Sequence, residues 1–316
     1  MKNQILKNKF LVLTLFVFAA VSSCSKDDDN NNNNAPNTVA KIVSDDADLS
    51  TLESAVVKAN LTATLSGPGP LTLFAPTNEG FDTAGLSSAD IDAMASSDVE
   101  RLLLYHVIPS EIFAGSVPAG PNEKVITANG DSVFVTNNAS GVFINGAKVV
   151  QVDIDATNGV VHKIDNVLMP AVGNIVETAQ ADTTFSFLVA ALTHASTGTY
   201  DLIGILSARD LHTVFAPTNN AFRAMGLTSI DKINAFDPNA LAYILLYHVI
   251  DDRKFSSDLV DGQQVTLNTQ SVTISTSGGL TVKGDDNTTA SNIIKANIVA
   301  TNGVIHVIDQ VLVHTP

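Results

Sequence analysis

The spacing of apolar residues changes along this chain from a helical to a strand period, and it does so twice. Apolar residues three or four positions apart predict an amphipathic helix near the start of each half, at Leu49, Leu52, Val56 and Ala59 and at Phe185, Leu188, Val189 and Leu192. Later in the first half, β-branched alternation predicts strands at about 124–128, 131–136, 142–145 and 148–153, with a hairpin turn at Asn129-Gly130. Helices followed by strands indicate an α+β fold rather than alternating βαβ units.

One phrase, from Phe74 to Phe81, returns almost unchanged from Phe215 to Phe222. Strand-like residues lead into Ala-Pro-Thr-Asn, where proline lacks the N–H that a strand ladder needs and Thr or Asn is a typical helix N-cap. The phrase therefore predicts a strand, a rigid corner and a helix start, with the second Phe folded back on the core. The structural residues of this motif are Phe74, Pro76, Thr77 and Asn78, with Phe215, Pro217, Thr218 and Asn219 in the second copy.

Three motifs recur in the same order and define a tandem duplication. They are the Phe-Ala-Pro-Thr-Asn phrase, the pairs Tyr105-His106 and Tyr247-His248, and a closing motif with Asn158, Gly159 and His162 or Asn302, Gly303 and His306. The duplication predicts two domains, residues 37–171 and 172–316. The joint at 169–173 is too short for a free linker, so we expect the domains to contact each other.

The N-terminus has the pattern of a secretory signal. Lysines precede an apolar run from Phe10 to Ala20, which is too short to span a bilayer, and small residues lead to Cys24. Val-Ser-Ser-Cys resembles a bacterial lipobox, so we expect residues 1–23 to be a signal peptide and Cys24 to be lipidated. Residues 24–36, with five consecutive asparagines, predict a disordered tether.

The acidic segment just after Cys24 bears on location. Lys26-Asp27-Asp28-Asp29 resembles an export tag that sends lipoproteins to the outer face of the outer membrane. We therefore expect a bacterial outer membrane lipoprotein exposed on the cell surface. The alternative is a periplasmic lipoprotein in which this segment is only a solvated spacer.

Charge excludes several partners. The chain has 17 basic and 32 acidic residues, a net charge of −15, and without residues 1–23 it keeps 14 basic and 32 acidic residues, a charge of −18. Such a chain repels nucleic-acid phosphates and anionic lipid, so membrane contact is expected through the lipid anchor alone.

Motifs for catalysis are absent from the sequence. There is no Gly-x-Ser-x-Gly, no His-Glu-x-x-His, no cysteine pair and no glycine-rich phosphate loop. Paired acids, as at Asp251-Asp252, lack the calcium-loop pattern, although loose calcium bridging stays an alternative. Segments such as Asp82-Thr83-Ala84 resemble a bacterial O-glycosylation pattern. We predict no enzyme, no metal site and no cofactor.

Together, the three motifs resemble the fasciclin (FAS1) family. The family's first motif is similar to Thr213 to Phe222 and, with Leu73 and Gly80 as departures, to Thr72 to Phe81. Its closing motif is similar to Asn302 to Leu312 and to Asn158 to Leu168. The resemblance covers the chain beyond the tether, and it implies a β-sandwich-like wedge flanked by short helices and a non-catalytic role in adhesion or extracellular binding.

The histidines of the motifs allow two interpretations. In animal members of the family a Tyr-His segment is implicated in integrin adhesion, which makes Tyr105, His106, Tyr247 and His248 candidate binding residues. A histidine inside an apolar run is also typical of a hydrogen-bonded core residue. Strand parity places His162 on the face of Val160 and Ile164, with Lys163 on the opposite face, so we expect His162 in the core.

We therefore expect a surface lipoprotein that binds extracellular protein or polysaccharide without catalysis. The alternative is a solute- or glycan-binding or sensor component of an uptake system. A contiguous apolar pocket would favour the alternative, whereas shallow convex faces would favour adhesion. The sequence does not define the oligomeric state.

Overall fold

The computed structural model describes residues 36–314, in which the chain folds as two copies of one α+β arrangement. The first copy has helices α1 (Val39–Asp45), α2 (Ser50–Lys58), α3 (Thr62–Ser66), α4 (Asn78–Ala84), α5 (Ser88–Ala93) and α6 (Ser96–Leu104). Its strands are β1 (Leu71–Pro76), β2 (Val107–Ile108), β3 (Gly120–Ile126), β4 (Ser132–Asn138), β5 (Gly141–Ile144), β6 (Ala147–Ala156) and β7 (Gly159–Ile164).

The second copy repeats the same order of elements. Its helices are α7 (Ile175–Ala181), α8 (Ser186–Ala195), α9 (Leu202–Ser207), α10 (Asn219–Ala224), α11 (Ile230–Asn234) and α12 (Pro238–Leu246). Its strands are β8 (His212–Pro217), β9 (Val249–Ile250), β10 (Gly262–Val265), β11 (Ser271–Ser275), β12 (Thr281–Lys283), β13 (Ser291–Ala300) and β14 (Gly303–Ile308).

Each copy arranges its strands in a seven-stranded sheet within the described residues, and the first copy has the order β2-β1-β7-β6-β5-β4-β3. The first long strand pairs in parallel with the last one, so Phe74 lies opposite His162 and Phe215 lies opposite His306. The remaining pairs are antiparallel. The parallel pair brings the Phe-Ala-Pro-Thr-Asn phrase beside the closing motif, although the two are far apart in sequence.

The core of each copy has two parts. On one face of the sheet the helices bury their apolar stripes, as Leu49, Leu52 and Phe81 do in the first copy. On the other side the sheet folds over itself around Phe74, Tyr105 and Ile144, and register shifts in β6 mark the irregular strand between the two halves of the sheet. The predicted α+β fold with two tandem copies, each a folded sheet with short helices, is confirmed.

The corner after β1 is fixed by side chains that satisfy backbone groups. Thr77 Oγ1 accepts a hydrogen bond from the Gly80 N–H at 3.0 Å and caps α4. Asn78 Oδ1 accepts from the Thr51 N–H at 3.0 Å, and Asn78 Nδ2 donates to the Ala47 carbonyl at 3.0 Å. Thr218 and Asn219 make the equivalent contacts in the second copy. The predicted strand, corner and helix start are thus present, and Asn78 also ties the corner to α2.

The closing motif ties the beginning of each copy to its end. Asn158 Nδ2 donates to the carbonyls of Leu65 and Gly67, and its Oδ1 accepts from the Val39 N–H at 2.9 Å. Asn302 makes the matching bonds in the second copy. Next to it, Gly159 lies so close to β1 that a Cβ would be 1.9 Å from the Leu71 carbonyl oxygen, so only glycine fits.

Some strand boundaries and the burial of one charged side chain differ from expectation. β3 begins at Gly120 rather than near 124, and β6 continues to Ala156, because hairpin pairing extends these strands past their apolar residues. The strand β7 is buried on both faces, since helices cover the side of Lys163. The Lys163 side chain is only 8% exposed, and its ammonium pairs with Asp46 at 2.6 Å and Asp48 at 3.3 Å. Alternation alone could not show that this charged face is covered.

We expect Gly159→Ala to destabilise the first domain by at least about 3 kcal/mol, because the added methyl group overlaps backbone that cannot move without breaking the parallel pair. Urea unfolding monitored by circular dichroism measures this. Gly115→Ala is the control, since a Cβ there meets no atom within 4 Å, and it should change stability by less than about 1 kcal/mol. Equal stability of the two variants would contradict the role given to the close approach.

Candidate functional site

The Tyr-His pairs lie in the core. Tyr105 and His106 are 1% and 0% exposed, and Tyr247 and His248 are 0% and 2% exposed. The Tyr105 hydroxyl donates to the Ser132 carbonyl at 2.8 Å and accepts from Asn145 Nδ2 at 2.9 Å, and burial raises the pKa of Tyr105 to about 12. Tyr247 donates to the Ser271 carbonyl at 2.6 Å, and burial raises its pKa as well. Both hydroxyls are thus used inside the fold.

His106 and His248 connect the end of a helix to the segment after the last strand. His106 Nδ1 lies 2.8 Å from the Leu102 carbonyl, and Nε2 accepts from the Leu168 N–H at 2.9 Å. His248 makes the same two bonds, to the Ile244 carbonyl and from the Leu312 N–H, both at 2.8 Å. One nitrogen must therefore donate and the other accept, which requires a neutral ring. Burial lowers the pKa of each histidine to about 4.

His162 and His306 hold the irregular strands β6 and β13 with the opposite tautomer. His162 Nδ1 accepts from the Asp153 N–H at 3.1 Å, and Nε2 donates to the Ile112 carbonyl at 2.8 Å. The ring stacks on Phe74 with centroids 5.8 Å apart. His306 repeats this with Asn297, Lys254 and Phe215, and burial lowers its pKa to about 4.

The motif residues thus act as partners for backbone groups, and the candidate binding residues Tyr105, His106, Tyr247 and His248 present no free polar atom at the surface. Of the four, Tyr105 lines a cleft between the two copies, with its hydroxyl already engaged by Ser132 and Asn145. Cys24, the expected lipidation site, lies outside the described residues. A surface for partners must be sought elsewhere.

The two copies contact each other through an asymmetric interface. The Arg253 guanidinium of the second copy lies over the Phe134 ring of the first, 3.9 Å from its centroid, and Phe255 packs against the same ring at 6.0 Å. Thr136 Oγ1 donates to Asp258 Oδ1 at 2.7 Å, and Asn122 Nδ2 donates to the Arg253 carbonyl at 2.8 Å. Arg253 is 5% exposed and Phe255 is fully buried. The repeats therefore form one compact unit.

Comparison of each interface residue with its counterpart in the other copy shows which of them are shared by the two repeats. Thr72 and Thr213 donate to the carbonyls of Ser110 and Asp252 in the two copies, so the next residues, Glu111 and Arg253, correspond. By the same register Phe113 corresponds to Phe255, yet Phe113 is 41% exposed. Tyr105 and Tyr247 donate to Ser132 and Ser271, so Phe134 corresponds to Thr273. Arg253 and Phe134 thus differ in type from their counterparts, whereas Phe255 and Phe113 are the same residue and differ only in burial.

A cleft opens along this interface in two lobes, which we call the interdomain cleft. The larger lobe has a volume of about 590 Å³ and the smaller one about 240 Å³. Asn122, Asp252 and Arg253 line both lobes. The larger lobe is also lined by Lys124, Asp131, Ser132, Phe134, Leu211 and Thr301. Its size lies in the range of ligand-binding pockets, and its lining combines apolar and charged groups.

The cations of the interdomain cleft are incompletely paired. Within residues 36–314, neither Arg253 nor Lys124 has a carboxylate within 4 Å, whereas Lys254 pairs with Asp252 at 3.2 Å. Arg253 Nη2 donates to the Thr301 carbonyl at 3.3 Å, but Nε has no partner. Burial lowers the pKa of Arg253. The Asn122 Oδ1 atom is also buried without a hydrogen bond. The site therefore leaves both a donor and an acceptor unused.

Sequence reasoning missed the cleft residues because a loop arginine and a strand phenylalanine are ordinary features of one domain. The available signal was the departure from the repeat, with Arg253 where the first copy has Glu111 and Phe134 where the second has Thr273.

Apolar cavities are small in the described part of the chain. One lies inside the folded sheet of the first copy near Phe74 and His162, another in the second copy near Leu188 and His248, and each has a volume of about 20 Å³. Such a space holds no more than about one water-sized group. Residues 36–314 also contain no cluster of three metal-ligating side chains, and none of their helices is both long and apolar enough to cross a membrane.

Comparison with known proteins identifies the family. The fasciclin domain model matches residues 47–170 and again 183–314. The chain therefore belongs to the fasciclin domain family, which confirms the resemblance read from the three motifs.

Among relatives, the chain is 30% identical over 255 residues to transforming growth factor-beta-induced protein ig-h3 of Sus scrofa, covering 79% of this chain and 35% of that protein. It is 31% identical over 259 residues to periostin of Homo sapiens, covering 79% of this chain and 29% of that protein. The chain spans about a third of the length of these relatives. A solved FAS1 domain pair from the insect cell adhesion molecule Fasciclin I covers 84% of this chain and 97% of that chain, with 19% identity and a TM-score of 0.40.

Stability should fall with acidification from about pH 6.5 to about pH 4. In that window the unfolded chain protonates His106, His248 and His306, whereas the folded chain keeps them neutral, so protons favour unfolding. The slope of unfolding free energy against pH is at most about 1.4 kcal/mol per pH unit for each histidine. Urea unfolding at several pH values should show that His248→Gln has a shallower slope than wild type. Leu245→Ala, which destabilises the same helix without removing a titratable group, should keep the wild-type slope. A wild-type slope in His248→Gln would contradict this account.

The Arg253–Phe134 contact should couple the stabilities of the two copies. In a double-mutant cycle with Arg253→Met and Phe134→Leu, measured by urea unfolding, we expect a coupling energy of about 1–2 kcal/mol, because the cation is desolvated over the ring. Arg223 lies over Phe187 at 4.8 Å and is exposed, so it is a matched control within the second copy. Its double-mutant cycle should give a coupling energy of less than about 1 kcal/mol. Equal coupling energies for the two pairs would contradict the expectation that burial at the interface strengthens the cation–ring contact.

Proposed function

We propose that this chain is a non-catalytic adhesion module that presents two fasciclin domains in a fixed relation outside the cell. Homologues with fasciclin domains are linked to cell adhesion and matrix binding. The observation that carries the proposal is the buried interface, in which Arg253 and Phe255 pack on Phe134. A fixed pair of domains offers one continuous surface to an extracellular protein or polysaccharide, which suits attachment.

We further propose that the module is a bacterial lipoprotein anchored through Cys24 and exposed on the outer membrane. Support comes from the sequence: the Val-Ser-Ser-Cys motif, the following acidic segment and the polar tether up to residue 36. The tether would place the two domains away from the membrane, which suits contact with a surface rather than with lipid. In this arrangement the net negative charge keeps the domains off anionic membranes.

A contiguous apolar pocket would favour the alternative, in which the chain is a solute- or glycan-binding component of an uptake system. The apolar cavities near His162 and His248 have volumes of only about 20 Å³ each, so they favour adhesion over capture of a small hydrophobic ligand. The interdomain cleft is large enough for a ligand, but its lining is charged and polar.

Deletion of the gene should reduce attachment of cells to a surface, and expression of the wild-type chain should restore it. Cys24→Ser should release the protein from the membrane and fail to restore attachment, because several acyl chains supply the anchor. Attachment is counted on abiotic, glycan and matrix-coated surfaces, and membrane and soluble fractions are compared by immunoblot. Wild-type attachment of the deletion strain on all three surfaces would refute the adhesion proposal, whereas membrane retention of Cys24→Ser would refute the lipid anchor.

A further inference from the structure

Two cations of the interdomain cleft, Arg253 and Lys124, have no carboxylate of residues 36–314 within 4 Å, although carboxylates line the cleft. Arg253 is nine-tenths buried, and in the described chain neither it nor Lys124 forms an ion pair. A buried guanidinium without a counter-ion costs free energy, because the ring of Phe134 and one carbonyl replace only part of its hydration. An anion in the cleft would offset this cost. Since arginine presents donors in a planar fork, a carboxylate matches it well.

The carboxylates of the cleft indicate what else the anion carries. Asp252 is engaged by Lys254 at 3.2 Å, Asp131 lies 3.9 Å from Arg101, and Asp258 accepts from Thr136. These acids disfavour multiply charged phosphate or sulfate groups, yet their free lone pairs can accept hydrogen bonds from hydroxyl groups. A ligand with one carboxylate surrounded by hydroxyl donors satisfies both kinds of group.

The shape of the cleft favours an extended ligand over a compact one. The two lobes, of about 590 and 240 Å³, share Asn122, Asp252 and Arg253, so a chain can run from one lobe to the other past the guanidinium. An acidic peptide is a poorer match, because its backbone N–H groups are its main donors and few of them lie near each carboxylate. A polymer of sugar acids carries several hydroxyl donors around each carboxylate, and Asp131 and Asp252 can accept from them.

We propose that the interdomain cleft binds a polysaccharide containing uronic acids, with a sugar carboxylate held by Arg253 and Lys124 and sugar hydroxyls donating to Asp131 and Asp252. This inference rests on the proposed adhesive function and names the partner class of that function. Both domains contribute to the site, which gives the fixed interface a binding role.

Isothermal titration calorimetry of the full chain in detergent tests the proposal with oligogalacturonate as the probe. Its fully methyl-esterified form is the matched control ligand, because esterification removes the charge and leaves the sugar backbone. We expect the acidic form to bind at least about tenfold more tightly than the ester. Equal affinity for both forms, or no binding of either, would overturn the proposal. Equal or tighter binding of an oligoglutamate peptide would overturn the choice of polysaccharide.

Variants separate recognition from folding. Lys124→Gln changes an exposed residue and should weaken binding of the acidic form roughly tenfold without changing the thermal unfolding midpoint. Lys295→Gln, an exposed lysine outside the cleft lining, is the matched control and should bind like wild type. Arg253→Lys keeps the charge but loses the fork, so it should bind more weakly than wild type and more tightly than Arg253→Met. Wild-type affinity of Lys124→Gln would overturn the assignment of the site.

The two proposals can fail independently. If the deletion strain attaches poorly but the purified chain ignores oligogalacturonate, the ligand class is wrong and adhesion stands. If the chain binds oligogalacturonate but deletion leaves attachment unchanged, adhesion is wrong and the binding site stands.

Discussion

The parallel contact between the first and last long strands of each repeat is the constraint on which the rest of the fold depends. It joins two strands that lie near opposite ends of the domain sequence. The pair requires glycine at position 159 or 303, because the strands approach too closely for a Cβ. Around it, Asn158 binds three backbone groups in two other segments, and His162 stacks on Phe74. The motif residues are thus needed for closure of the domain, since each satisfies backbone groups that would otherwise be buried without partners.

This explains which parts could be predicted from the sequence. Residues that close the domain are the same in both copies, so the duplication exposes them, and the fold class, the corner at Thr77 and the core position of His162 follow from spacing and residue type. The interface could not be found in this way. Arg253 is in a loop where a solvated charge is ordinary, and only contact with a second domain buries it. Burial of Lys163 was missed for a related reason, since it depends on a helical layer supplied by distant residues.

Residues that are the same in both copies stabilise each domain, whereas residues that differ between the copies lie at the interface proposed to bind a partner. The four motif histidines occupy two repeated roles, and their hydrogen bonds fix the tautomer of each ring. Their surroundings leave little freedom for substitution. By contrast, Glu111 stands where the second copy has Arg253, and Thr273 stands where the first copy has Phe134, without loss of the fold. The surface at which the copies diverge is therefore the part of the molecule that could acquire a new partner.

The asymmetry of the interface has a consequence for assembly. A contact between one face of a domain and a different face of its copy is heterologous, and when every unit carries both faces such contacts continue into open filaments. Here the face left free on the first domain has Glu111, and the face left free on the second has Thr273, so neither can repeat the arginine-on-phenylalanine contact. The copies therefore differ at the positions that a repeated contact of this kind would use, so the arginine-on-phenylalanine contact is confined to the junction between the two described domains.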